Sequence, residues 1–239
     1  MAVTLNGTWS PRTVTSGSGV TTVTETAETV AAGTNTALGA VISWEGTTSA
    51  ITLQWDSAGT PQSMTQVSTI SPATTAKAQI WGLLAPTVGN KNLKALWTTA
   101  RTVRLNSIVL DNVLQTSIAT AFTNSNTGTG AGTKPTLTVT TSSGDASISC
   151  VVNDSFNLGT IASPAVNIHA VNGSSDSHGA SYLLSTSTSD VHSWSGALAG
   201  QWGQCGIRVN QAVATGPTTA QLAPLMAPVG YMVGPQLVM

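Results

Sequence analysis

The sequence predicts an all-β fold, a two-sheet antiparallel sandwich of jelly-roll type with extended N- and C-terminal arms. Three observations carry that expectation. Threonine and serine number 39 and 27 among 239 residues, and β-branched threonine suits a pleated, half-exposed ribbon. Hydrophobic residues make up 41% of the chain and the mean hydropathy is +0.17, enough apolar character for a packed core. About a dozen short runs alternate apolar and polar residues at a spacing of roughly 8–12, with turn residues between them, as in sandwiches.

Residues 1–35 are rich in threonine and turn formers. "VTTVTETAETV" sets Val20, Val23 and Val30 among polar positions and predicts an N-terminal arm or edge strands. A sandwich domain is expected over 36–215. Within it "VISWEG" leads into "AITLQWDSAGTP", where Ile51, Leu53 and Trp55 share one face of a strand before Gly59 and Pro61 end it. In "AQIWGLLAPTVGNKNLKALWT", Pro86 and Gly89 break an apolar run and Leu93, Ala95 and Trp97 resume the alternation. The stretch "KNLKALWTTARTVRL" is the best helical candidate, but β-branched Thr98, Thr99, Thr102 and Val103 favour strand. "TVRLNSIVLDNV" continues the pattern, with a bulge or bend expected at Asn106 and Ser107.

Asn124 to Lys134 is dominated by glycine and threonine and is expected as the most flexible interior loop. After it, "GTKPTLTVTTSSGDASISCVVND" predicts two strands joined by a Ser143-Gly144-Asp145 turn, with Leu137 and Val139 on one face and Ile148, Cys150 and Val152 facing inward. "AVNIHAV", "GASYLLSTST", "DVHSWSG" and "QWGQCGIRVNQAV" supply the remaining strands. From Val209 to Met239 no residue is charged, and Pro217, Pro224, Pro228 and Pro235 forbid a long helix there. Residues 216–239 are therefore expected as an apolar extended tail that lies on its own sandwich or on a neighbouring subunit, with Leu222, Leu225, Met226, Tyr231, Met232 and Met239 as docking side chains.

Charged residues are only 7% of the chain and the net charge is −1, which removes the repulsion that keeps monomers apart and points to a homo-oligomer with covered surfaces. With no basic tail and a pI near 6.2, a nucleic-acid partner is not expected. Lys91, Lys94, Arg101 and Arg104 fall where no acidic residue intervenes between Asp56 and Asp111. They read either as solvated strand edges that discourage pairing or as a basic patch for an acidic partner. No run approaches the roughly 20 apolar residues of a membrane span, and the first residues lack a secretion signal, so synthesis in a cytoplasm is expected. Cys150 and Cys205 are too few for a disulfide scaffold; buried free thiols are the default, with a cross-strand disulfide as the alternative.

Chemistry has little foothold in this sequence. There is no G-x-S-x-G, P-loop, H-E-x-x-H or G-x-G-x-x-G motif, and nine acidic residues are scattered. Asp176 with His178, and Asp190 with His192, are each two residues apart, a spacing that puts both side chains on one face of a strand. They read as a metal or acid–base pair, or as ordinary polar residues. No cofactor is expected. Of seven tryptophans, Trp44, Trp55 and Trp81 follow the apolar pattern and are expected in the core. Trp9, Trp194 and Trp202 are flanked by glycine, serine or proline and are expected as exposed rings for a partner or a host glycan.

The order of "AQIWGLLAPTVGNKNLKALWT", "NSIVLDNVLQTS", a Gly/Thr loop, "KPTLTVTTSSGDASISCVV", "HGASYLLSTST", "HSWS" and "WGQCGIRVNQ" resembles β-sandwich virion proteins of tailed bacteriophages, over about residues 40–212. The resemblance implies a non-enzymatic virion protein made in the host cytoplasm: a capsid decoration or cement subunit bound to other virion proteins. The alternative within the same resemblance is a tail or head-fibre module that binds a receptor or carbohydrate. It carries no catalytic residues over.

Overall fold

The computed structural model describes residues 1–7, 14–16, 19–46, 50–71, 76–99, 101–153, 158–172, 177–196 and 200–213. The first half of the chain forms β1 (Thr4–Leu5), β2 (Val14–Thr15), β3 (Thr22–Val30), β4 (Ala37–Glu45), β5 (Ile51–Trp55), β6 (Gln62–Ser63), β7 (Thr65–Ile70), β8 (Ala76–Leu84), β9 (Gly89–Trp97) and β10 (Val103–Asp111). One turn of helix, α1 (Ile118–Ala121), follows. The second half forms β11 (Phe122–Ala131), β12 (Thr136–Thr140), β13 (Ala146–Asn153), β14 (Val166–Asn172), β15 (Ser177–Leu184), β16 (Ser189–Ser193) and β17 (Gln201–Val209). The all-β antiparallel sandwich is present, built as four stacked layers where two were expected.

A central sheet runs β1-β10-β4-β8-β7, with β2 also on β10. Alternate residues of its strands feed two different cores. Leu38, Ala40, Ile42 and Trp44 of β4 pack against Leu53, Trp55, Leu93 and Trp97 of the sheet β3-β9-β5-β6. Ala37 and Val41 of the same strand, with Ile80 of β8 and Ile108 of β10, pack against Ile148, Cys150, Val152 and Ile207 of the sheet β11-β17-β13-β15-β14. On the far side of that third sheet lies the ribbon β12-β16, sealed by Val151, Leu158, Trp194 and Trp202.

Strands buried on both faces cannot show an in-out alternation of apolar and polar residues. β4, β10, β13 and β15 are such strands. Small side chains let the layers close. At Gly39 an added Cβ would sit 2.8 Å from Ile148 Cδ1 and 3.0 Å from Ile108 Cγ2, so glycine sets the spacing between the central and third sheets there.

The structure alters three local expectations. Asn106 and Ser107 form no bulge against β4, because the β10–β4 register is continuous from Val103↔Trp44 to Leu110↔Ala37. Asn124 to Lys134 is not a loop: most of it lies in β11, paired with β17 from Thr127↔Cys205 to Ala131↔Gln201. Gly130 serves packing, since a Cβ there would lie 2.7 Å from the Trp202 ring. The two strands flanking Ser143-Gly144-Asp145 are not partners. β12 pairs with β16, and β13 lies between β15 and β17 in the sheet beneath. β12 is half-exposed whereas β13 is buried throughout, so the two belong to different layers.

The N-terminal residues are held in the structure by specific contacts. β3 is an edge strand on β9. Asn6 donates to both carboxylate oxygens of Asp111, at 3.0 and 2.9 Å, and accepts from Ala31 N–H at 2.8 Å. Its amide is thereby committed to the fold and buried.

Candidate functional site

The two Asp–His pairs of the sequence are not brought together. His178 lies on the face of β15 that meets the central sheet, in phase with Ala180 and Tyr182, and Asp176 lies outside the described residues. Asp190 and His192 lie on the inner face of β16, against the third sheet. There Ser147 Oγ donates to Asp190 Oδ2 at 2.6 Å, and Ser185 Oγ donates to the same oxygen. Ser147 has spent its single hydrogen on the carboxylate, so its contact of 2.9 Å with His192 Nε2 requires the imidazole N–H to donate. Nδ1 is then the acceptor for Ser181 Oγ at 2.8 Å.

This wiring is the reverse of a nucleophile–base pair, in which the imidazole would accept the serine proton. Ser147 and His192 are 0% exposed, so no substrate reaches them. Burial holds His192 at a pKa of about 4, keeping the ring neutral. Gln204 Nε2 completes the layer by donating to Ser149 Oγ and to the His192 carbonyl, both at 3.0 Å. Among the described residues no group of three His, Cys, Asp or Glu side chains is placed to hold a metal ion.

The four basic residues lie in different settings. Lys91 pairs with Asp56 at 3.1 Å. Lys94 sits on β9 between Thr24 and Gln54. Arg101 caps the Glu45 carbonyl at 2.8 Å. Arg104 is buried in the face of β10 turned toward the third sheet, where its charge, after burial and His178, helps hold His169 at a pKa of about 4.

Trp194 and Trp202, expected as exposed rings, are 1% and 6% exposed. The serine and glycine neighbours read as signs of exposure do not expose the rings, and glycines on facing strands let backbone close over the indoles. A Cβ at Gly179 would come within 2.4 Å of Trp194 Cη2. Gly179→Ala is accordingly expected to cost roughly 1–3 kcal/mol through overpacking, read from denaturant unfolding; a neutral substitution would contradict the packing described here. Leu222, Leu225, Met226, Tyr231, Met232, Met239 and Trp9 lie outside the described residues.

An apolar groove of about 430 Å³ opens between the start of β14, the end of β15 and β16. Pro164, Val166, Tyr182, Leu184 and Val191 form its walls, and Thr186, Ser187 and Ser189 add hydroxyls at its rim. Val166, Leu184 and Val191 are 44%, 37% and 44% exposed, three of the few large apolar side chains in water. The sequence signal for Val191 was present but inverted. Asp190 and His192 on either side of it point inward, so on this strand the polar residues are buried and the apolar one faces out.

The fold defines a class, an all-β antiparallel protein of stacked sheets with an apolar surface groove and, among the described residues, no helix long and apolar enough to cross a membrane. No family model matches the chain, and comparison with curated proteins and with solved structures finds no match.

Proposed function

We propose that the chain is a non-enzymatic structural subunit of a tailed-phage particle, a capsid decoration or cement protein that docks on other virion proteins. The observation that carries the proposal is the groove. Val166, Leu184 and Val191 present apolar surface to water on a chain with 7% charged residues, and surface of that kind is suited to an apolar segment of a protein neighbour. The order of motifs over residues 40–212 supplies the virion context. The uncharged segment 216–239 would offer apolar side chains for a second contact, and low net charge favours an oligomer on the particle. The carbohydrate-binding alternative has lost two of its rings, because Trp194 and Trp202 have no open face for a sugar.

The test is occupancy on purified particles. Leu184→Glu with Val191→Glu is expected to lower bound copies at least tenfold while circular dichroism stays unchanged, since both side chains already meet solvent. Deleting 217–239 is expected to abolish binding with the sheets intact. Wild-type occupancy by either variant would sink the proposal.

A further inference from the structure

Cys150 of β13 and Cys205 of β17 stand directly opposite each other in antiparallel register, between Ser149↔Gly206 and Val151↔Gln204. Their Sγ atoms are 3.1 Å apart and both thiols are free. Directly opposed residues of an antiparallel pair have Cα atoms about 4.5–5.5 Å apart, inside the window of about 4.4–6.8 Å that a disulfide spans. Closure to the bonded distance of about 2.05 Å needs a movement of only about 1 Å, within reach of side-chain rotation.

We propose that Cys150 and Cys205 form an oxidative modification site: a small-molecule disulfide such as oxidised glutathione converts them to a cross-strand bond that staples β13 to β17. One cysteine thiolate attacks the oxidant, displacing one of its thiols and forming a mixed disulfide. The second thiolate attacks the protein sulfur of that intermediate and displaces the other thiol. Two protons and two electrons leave the protein, and one small disulfide becomes two thiols.

The site has a gate. Both sulfurs are buried in the core between the central and third sheets, so the oxidant reaches them before the sheets have packed or when they part. Burial first, and then the adjoining Cys205 thiol, push the Cys150 thiol well above its ordinary value, which makes it a poor nucleophile, and burial keeps reagents off both sulfurs in the folded chain. Ser149 Oγ, donating to the Cys205 carbonyl at 3.1 Å, holds the two strands in register from the opposite face. Nothing in this chemistry depends on the chain being a virion subunit.

The experiment uses the full wild-type chain, unfolded under reductant and refolded either with reductant or with oxidised glutathione. After reducing refolding, no thiol should react in native buffer and both should react in denaturant. After oxidising refolding, the protein should be lighter by two hydrogens and yield a peptide pair joined through Cys150 and Cys205. Its Tm should rise on the order of 10 °C, because the bond closes a long loop in the unfolded chain. Two free thiols after oxidising refolding, a glutathione on each cysteine, cross-links between chains, or a bridged product with a lower Tm would each overturn the proposal.

Discussion

Asp145→Ala is expected to cost roughly 3–5 kcal/mol, a large share of the roughly 5–15 kcal/mol that holds a domain together. Asp145 ends the turn between β12 and β13, where the chain steps from one layer to the next, and it is 1% exposed. Its Oδ2 takes the Arg208 guanidinium at 2.7 Å and Ser142 N–H at 2.6 Å, and its Oδ1 takes Gln211 N–H at 3.1 Å. Its backbone carbonyl accepts from Ser185 N–H at 2.8 Å, tying the turn to the end of β15. Alanine would remove every carboxylate contact and leave the Arg208 charge and two backbone donors without this acceptor. Asp145→Asn keeps the shape and an acceptor oxygen, so a smaller loss is expected. Denaturant unfolding of both variants checks this; a loss below about 1 kcal/mol for alanine would mean that the buried carboxylate is not holding the turn.

Acidification should weaken the fold through its buried histidines. His169 and His192 are held at pKa values of about 4, chiefly by burial, against about 6.5 in the unfolded chain. Between those values the unfolded chain binds protons that the folded chain does not, so stability falls as pH drops from about 6.5 to about 4 and the loss levels off below that. Going from about pH 7.5 to about pH 5, the loss is about 2 kcal/mol for each histidine. His192→Gln, compared with wild type, should lower the steepness of this dependence even though it also removes hydrogen bonds to Ser147 and Ser181. Equal stability of the wild-type chain at both pH values would contradict neutral, buried imidazoles.

The strands themselves were legible in the sequence because β-branched residues and period-two runs report local pleating. Ile51, Leu53 and Trp55, and Leu93, Ala95 and Trp97, lie as the alternation predicts, and Trp44, Trp55 and Trp81 are in the core. The layering was not legible. Serine reads as surface, but Ser43, Ser147, Ser149 and Ser181 are buried, the last three between the third sheet and the ribbon, where hydroxyls hydrogen-bond to Asp190, His192 and the Gln204 Nε2. A hydroxyl is small enough to let two sheets approach and polar enough to need a partner there, and only the fold supplies the partner.

Pairing was hidden for a related reason. The turn at Ser143-Gly144-Asp145 looks like a hairpin, yet Arg208, Gln211 and Ser185, all distant in sequence, fix it as a step between layers. The glycines of β11 looked like flexibility, and Gly179 of β15 carried no signal of its own. They are the places where Trp202 and Trp194 lie against backbone. The groove is not legible in the sequence because Val166, Leu184 and Val191 come from three strands that only the fold brings together.

The proposed role as a particle-bound docking subunit is tested most directly by the copy number of the chain on purified virions, read by quantitative mass spectrometry. The account predicts many copies per particle for the wild-type chain and at least a tenfold drop for the Leu184→Glu, Val191→Glu variant. A wild-type chain absent from the particles, or a variant present at wild-type copy number, would contradict it.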